Sequence, residues 1–107
     1  IKYADKYIEA FPNLVDGYYW KAQSLDEMDD DNAPTFKAKD AYEKLTVTFE
    51  AKPDDRSKKM VATGYNYMAY FYGKQNDLVK AKEYYLKTIG VDRTNKIATQ
   101  TLLQLGN

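Results

Sequence analysis

Residues 61–90 read VATGYNYMAYFYGKQNDLVKAKEYYLKTIG. Val61, Tyr65, Met68, Ala69 and Tyr72 recur at steps of three and four, which marks one face of a helix. GKQND, residues 73–77, then reads as a turn. Gly73 falls near the helix end, and Asn76 and Asp77 are cap candidates for a second helix. Its stripe is Leu78, Ala81, Tyr85, Thr88 and Ile89. The segment from 55 to 90 is therefore expected to be two antiparallel helices on a short loop. Asp54 and Asp55 offer carboxylates to cap the first of them.

Outward from this pair, the pattern repeats. Val15, Tyr18, Ala22 and Leu25 are helically spaced, as are Ala38, Tyr42, Leu45 and Phe49. LTVTF, residues 45–49, alternates apolar and polar and alone resembles a strand. The stripe entering it has period 3.6, and no partner strand exists, so helix is expected. Tyr3, Tyr7, Ile8 and Phe11 precede Pro12, which stops a first helix. Ala98, Leu102, Leu103 and Leu105 precede Gly106 at the other end. The reading is all-α: six helices and no strand.

Composition narrows the chemistry. The 107 residues fit one domain, residues 1–107, with one modest core. Sixteen basic and sixteen acidic residues cancel, which argues against a nucleic-acid binder. No apolar run approaches the ~20 residues that span a bilayer, so no membrane insertion is expected. The chain begins at Ile1 without Met, so upstream sequence is expected. There is no His and no Cys. Histidine acid–base catalysis, thiol nucleophiles and Cys/His zinc sites are thereby excluded. No Gly-rich phosphate loop and no nucleophile elbow is present. Neither enzyme activity, a cofactor nor a metal site is expected.

Five of the six residues from Asp26 to Asp31 are acidic. A calcium loop would need oxygens at positions 1, 3 and 5, Gly at 6 and Glu at 12. Started at Asp29, positions 6 and 12 hold Pro34 and Asp40; started at Asp26, they hold Asp31 and Lys37. Both frames fail. The stretch is expected to be a hydrated connection, with Asn32 or Thr35 capping the next helix and Pro34 near its first turn.

At the paired helices the chain resembles the tetratricopeptide repeat family. In that pattern a large aromatic is followed by a small residue at plus four, Tyr at plus seven, Ala at plus sixteen and an aromatic at plus twenty. Residues 62–95 supply Tyr65, Ala69, Tyr72, Ala81 and Tyr85; Arg93 stands where a Pro is usual. Residues 15–52 form a more divergent repeat. There Lys21 replaces a Leu, and Ala22 to Ala38 spans sixteen residues where Ala69 to Ala81 spans twelve. The acidic stretch is the four-residue excess. The step from Tyr42 to Tyr65 also exceeds a ~34-residue repeat, which implies longer helices around the KPDD bend. Residues 1–12 look like the second helix of a truncated repeat. Residues 96–107 look like a capping helix, with Gln100, Thr101 and Gln104 on its watered side.

The resemblance implies an α-α superhelix that binds a protein or peptide partner and has no catalysis of its own. It implies that Tyr18, Tyr42, Tyr65, Tyr72 and Tyr85 are buried. It places Asp16, Tyr19 and Gln23 of one repeat, with Thr63, Asn66 and Tyr70 of the next, on a concave polar and aromatic groove. Amides there would bond a peptide backbone and rings would cover its side chains. The Lys and Arg that hold acidic chaperone tails in this family are missing, so such tails are not expected. Self-association within a larger envelope protein or enzyme is the alternative role. The Tyr-rich GYYWKA…AYEKL character is similar to that of bacterial envelope proteins of the family, which implies a periplasmic or envelope location.

Overall fold

Six α-helices account for the elements of the computed structural model, which describes residues 2–30, 32–52 and 54–104. They are α1 (Lys2–Ala10), α2 (Val15–Glu27), α3 (Lys39–Phe49), α4 (Asp55–Lys74), α5 (Leu78–Val91) and α6 (Lys96–Gln104). No strand occurs among the described residues. Asp31, Pro53, Leu105 and Gly106, which entered the expectations from sequence, lie outside them.

Each helix packs on the next in sequence, and α2 also touches α4 past the intervening α3. The radius of gyration, 13.7 Å, is close to the ~13 Å of a compact chain this long, but the body is a slab of 44 × 34 × 18 Å.

Local chemistry explains the boundaries. Asp54 starts α4, its side chain accepting the Ser57 amide at 2.9 Å. Asp77 starts α5 in the same way, accepting the Lys80 amide at 3.1 Å. Between α4 and α5 stand three residues. Asn76 has φ 62°, a left-handed geometry that Asn tolerates, and the Asp77 amide returns to the Tyr72 carbonyl at 2.9 Å. This closes the last turn and folds α5 back along α4. The helix ends at Lys74, one residue past the expected Gly73.

LTVTF is helical. Leu45 and Phe49, four apart, are 0% and 2% exposed, while Val47 between them is 67% exposed. A strand would have placed all three on one side. Thr46, also buried, satisfies its hydroxyl by donating to the Glu43 carbonyl at 2.9 Å.

The core runs as three linked clusters. Val15, Tyr18, Leu45, Phe49, Val61 and Tyr65 join α2, α3 and α4. Ala22, Ala38, Tyr42 and Tyr67 form the next. Ala69, Tyr85, Ala98 and Leu102 tie α4 to α5 and α6. Tyr18, Tyr42, Tyr65 and Tyr85 are buried as expected; Tyr72 is half-buried. It sits in the last turn of α4, stacked on Tyr84 of α5 at 5.5 Å with Lys80 over its ring.

Some stripe residues are exposed. Tyr3 and Phe11 face outward because α1 packs inward through Ala4 and Ile8. Leu78 lies in the opening turn of α5 and Leu103 on the open side of α6. Thr101 is half-buried beside Tyr85, so Gln100 and Gln104 alone of the expected trio face water.

Candidate functional site

Between α2 and α3 one carboxylate, that of Asp29, gathers residues 30 and 35–37. Asp29 Oδ1 accepts the Thr35 amide at 2.9 Å, the Thr35 hydroxyl at 3.0 Å and the Asp30 amide at 3.0 Å. Its Oδ2 accepts the Phe36 amide at 2.7 Å and the Lys37 amide at 3.4 Å. Thr35 is thus spent on Asp29 and does not cap α3. Neither does Asn32, whose amide donates to Asp30 at 2.9 Å. Helix α3 starts from Ala38 with no side-chain cap, and Pro34 lies well ahead of its first turn. A four-residue excess gives the loop room to close on itself, which moved the helix start downstream of both candidates.

These bonds hold Phe36 at φ 59°, an unfavourable geometry for a bulky residue. Its ring meets Tyr70 at 5.8 Å and Phe71 at 4.9 Å on α4. The connection is therefore not hydrated throughout: Phe36, just ahead of α3, docks against α4. Hydrogen bonds from Thr35, opposed by partial desolvation and joined by Phe36 and Asp30, hold the Asp29 carboxyl down at about 2. The ordinary value is 3.8. Its contribution is complete above that value and is lost as pH falls through about 2. The Thr35 and Phe36 amide resonances are expected to titrate with a midpoint near 2, and Asp29→Asn to abolish that step. A midpoint at 3.8 would show that the carboxylate does not order the loop.

The docked loop closes one end of a cleft of 440 Å³. Helix α4 supplies its floor with Thr63, Asn66, Tyr67 and Tyr70. The end of α2 and the loop supply Asp26, Asp29 and Pro34. Tyr42 enters from α3, Tyr85 from α5 and Ile97 from α6.

The six groove residues expected from sequence divide evenly. Thr63, Asn66 and Tyr70 share this cleft. Asp16, Tyr19 and Gln23 do not line it. The Asp16 carboxylate pairs with the Arg56 guanidinium across α2 and α4. Tyr19 is half-buried against the first core cluster, and Gln23 is exposed.

Among the described residues, two polar side-chain atoms are buried without a hydrogen-bond partner, and both are on residues that line the cleft. Asn66 donates its Nδ2 to Asn95 Oδ1 at 3.0 Å, an oxygen that also accepts the Ala98 amide. That fixes the Asn66 amide orientation and leaves its Oδ1 buried and unpaired. The Tyr67 hydroxyl is the second such atom, on a side chain 9% exposed. The Ala38 backbone acts on this hydroxyl electrostatically but outside hydrogen-bond geometry. Buried polar atoms are normally satisfied, so each is a place where a bonding partner lowers free energy.

Burial, reinforced by the charges of Asp26 and Asp29, pushes the Tyr67 phenol up to about 12. Burial, followed by the neighbouring Glu50, does the same for Tyr65, and burial raises Tyr42 further. Phenols raised on folding favour the neutral, folded form below pH 10, and that advantage is lost as pH climbs from 10 towards 12. Ultraviolet titration is expected to show Tyr42, Tyr65 and Tyr67 ionising only as the protein unfolds. A single wave at pH 10 with intact helical circular dichroism would contradict the burial of Tyr42, Tyr65 and Tyr67.

Asp26, Asp29 and Tyr67 were not expected at the groove. Tyr67 was findable: Thr63, Asn66, Tyr67 and Tyr70 stand at i, i+3, i+4 and i+7. Asp26 comes from the last turn of α2 and Asp29 is brought there by the loop fold, and spacing announces neither. Among the described residues no cluster of three or more acidic side chains is placed to hold a metal ion. Nor, among them, is any helix long and apolar enough to cross a membrane. Against known proteins, no family model, no curated protein and no solved structure matches the chain.

Proposed function

We propose that the chain is a tetratricopeptide-like helical repeat that binds an extended peptide or a protein segment in the cleft on α4, with no catalysis of its own. The observation that carries this reading is that Asn66 Oδ1 and the Tyr67 hydroxyl, on adjacent residues that line a ring-rich cleft, are both buried and unpartnered. One is an acceptor and the other brings a donor, the complement of a peptide group. Sequential packing of each helix on the next, with α2 reaching α4, is the contact order expected of stacked helical pairs. The superhelix and the family rest on this and on the Tyr65–Ala69–Ala81–Tyr85 spacing.

Tyr70 is 37% exposed at the cleft rim, so its removal leaves the core intact. Tyr70→Ala is expected to weaken capture of a selected peptide about tenfold or more, as loss of an interface tyrosine does. Unchanged capture would remove the cleft from consideration.

A second reading, self-association, has its own observation. Tyr3 (85% exposed), Phe11 and Trp20 leave an aromatic face on α1 and α2, with a hollow of 580 Å³ between Tyr3, Tyr7 and Trp20. A monomer by light scattering at high concentration would set this reading aside.

A further inference from the structure

The walls of the cleft carry two carboxylates and four phenols, and none of its lining residues is Lys or Arg. Asp29 has its oxygens engaged by the loop, so it acts on the cleft through its charge. Asp26 lies near enough to Tyr42 and Tyr67 for its charge to act on both phenols. The rings of this chain already hold ammonium groups. Lys74 lies over Tyr70 at 5.7 Å, and Lys87 over Tyr84 at 4.9 Å. An aromatic, anionic, partly desolvated recess attracts a cation by ring quadrupole and by charge. The unpartnered Tyr67 hydroxyl, on a side chain nine-tenths buried, marks the same recess as unsatisfied.

We propose that the occupant of the cleft is a basic peptide segment, whose lysine or arginine side chain enters among Tyr42, Tyr67 and Tyr70 under the field of Asp26 and Asp29. This rests on the groove reading under Proposed function and adds the sign of the partner. The backbone beside that side chain meets Asn66 Oδ1 and the Tyr67 hydroxyl. At Tyr70 the entering cation shares the ring with Lys74 of this chain, and its attraction to the carboxylates weakens with added salt.

The test is selection from a random-sequence displayed peptide library on the intact chain, with the Tyr70→Ala protein as counter-selection. Enrichment of Lys or Arg at one fixed position is expected. Replacing that residue by Gln in the synthesised peptide is expected to weaken binding about fivefold or more. Tyr67→Phe keeps the ring and the fold and is expected to weaken it about threefold. Asp26→Asn is expected to weaken it similarly and to flatten its salt dependence. Enriched peptides without a basic residue, or Gln peptides bound within twofold, would overturn the basic-partner inference and leave the groove standing. Failure to retain any peptide above the Tyr70→Ala background would overturn both.

Discussion

Phe49→Ala is expected to lower the stability of the chain by about 3–5 kcal/mol, the cost of an aromatic truncated in a packed interior. Phe49 is 2% exposed and closes the last turn of α3. Its ring meets Tyr18 of α2 edge-on at 5.1 Å and belongs to the cluster that reaches Val61 and Tyr65 of α4. Three helices therefore meet at the cavity it would leave, and α2 and α4 are held by α1 and α5 as well. Domains of this size are stable by about 5–15 kcal/mol, so the loss is a large fraction of the whole. Val47→Ala, two residues away, is the control. Val47 is 67% exposed, and its truncation is expected to stay within about 0.5 kcal/mol. Urea midpoints measure both. Comparable losses at 47 and 49 would indicate a two-residue period and would falsify the helical reading of LTVTF.

That contrast shows what the sequence carried. The stripe from Ala38 to Phe49 has helical period, and its period prevailed over the β-branched residues within it because tertiary burial, not local propensity, decides such conflicts. The Asp54 and Asp77 caps were legible because capping needs only a carboxylate three residues ahead of an amide. Thr63, Asn66 and Tyr70 were legible as one face of one helix. The opposite wall was not. Asp29 reaches the cleft through five hydrogen bonds that span up to eight residues, and no periodic pattern encodes them. Tyr19 failed for a related reason. It lies one turn from Val15 and next to Tyr18, and it packs against the core cluster that those two residues help to form. Sequence spacing fixes which residues share a face, while the crossing of helices decides what that face meets.

Gly64→Val is expected to cost about 3 kcal/mol, and the reason lies in the approach of α4 to α3. A Cβ added at Gly64 would stand 2.6 Å from Thr46 Cγ2. Thr46 cannot swing aside: it is 4% exposed, β-branched, and its hydroxyl is tied to the Glu43 carbonyl. Overpacking of this kind costs about 1–3 kcal/mol, and valine's second and third carbons put it at the upper end. At Gly17 the added Cβ would meet Tyr7 Cδ1 at 2.8 Å, Ile8 Cγ1 at 2.9 Å and the Ile8 backbone nitrogen at 3.3 Å, so α1 would have to shift and a loss is expected there too.

The decisive experiment is a double-mutant cycle. Gly64→Ala in the native background sets the clash against the gain of about 1 kcal/mol that alanine brings to a helix interior, and a net loss is expected. Thr46→Ser removes Cγ2. The nearest remaining atoms to the new Cβ are then the Tyr42 carbonyl oxygen at 3.5 Å and Tyr42 Cδ1 at 3.6 Å, ordinary contacts. In that background Gly64→Ala is expected to stabilise, because the helix gain stands unopposed. The same substitution thus changes sign with one methyl group on the facing helix, with a coupling of about 1–3 kcal/mol. Equal effects of Gly64→Ala in both backgrounds would mean that α3 and α4 do not approach at this glycine, and the packing that positions the floor of the cleft against Tyr42 would have to be redrawn.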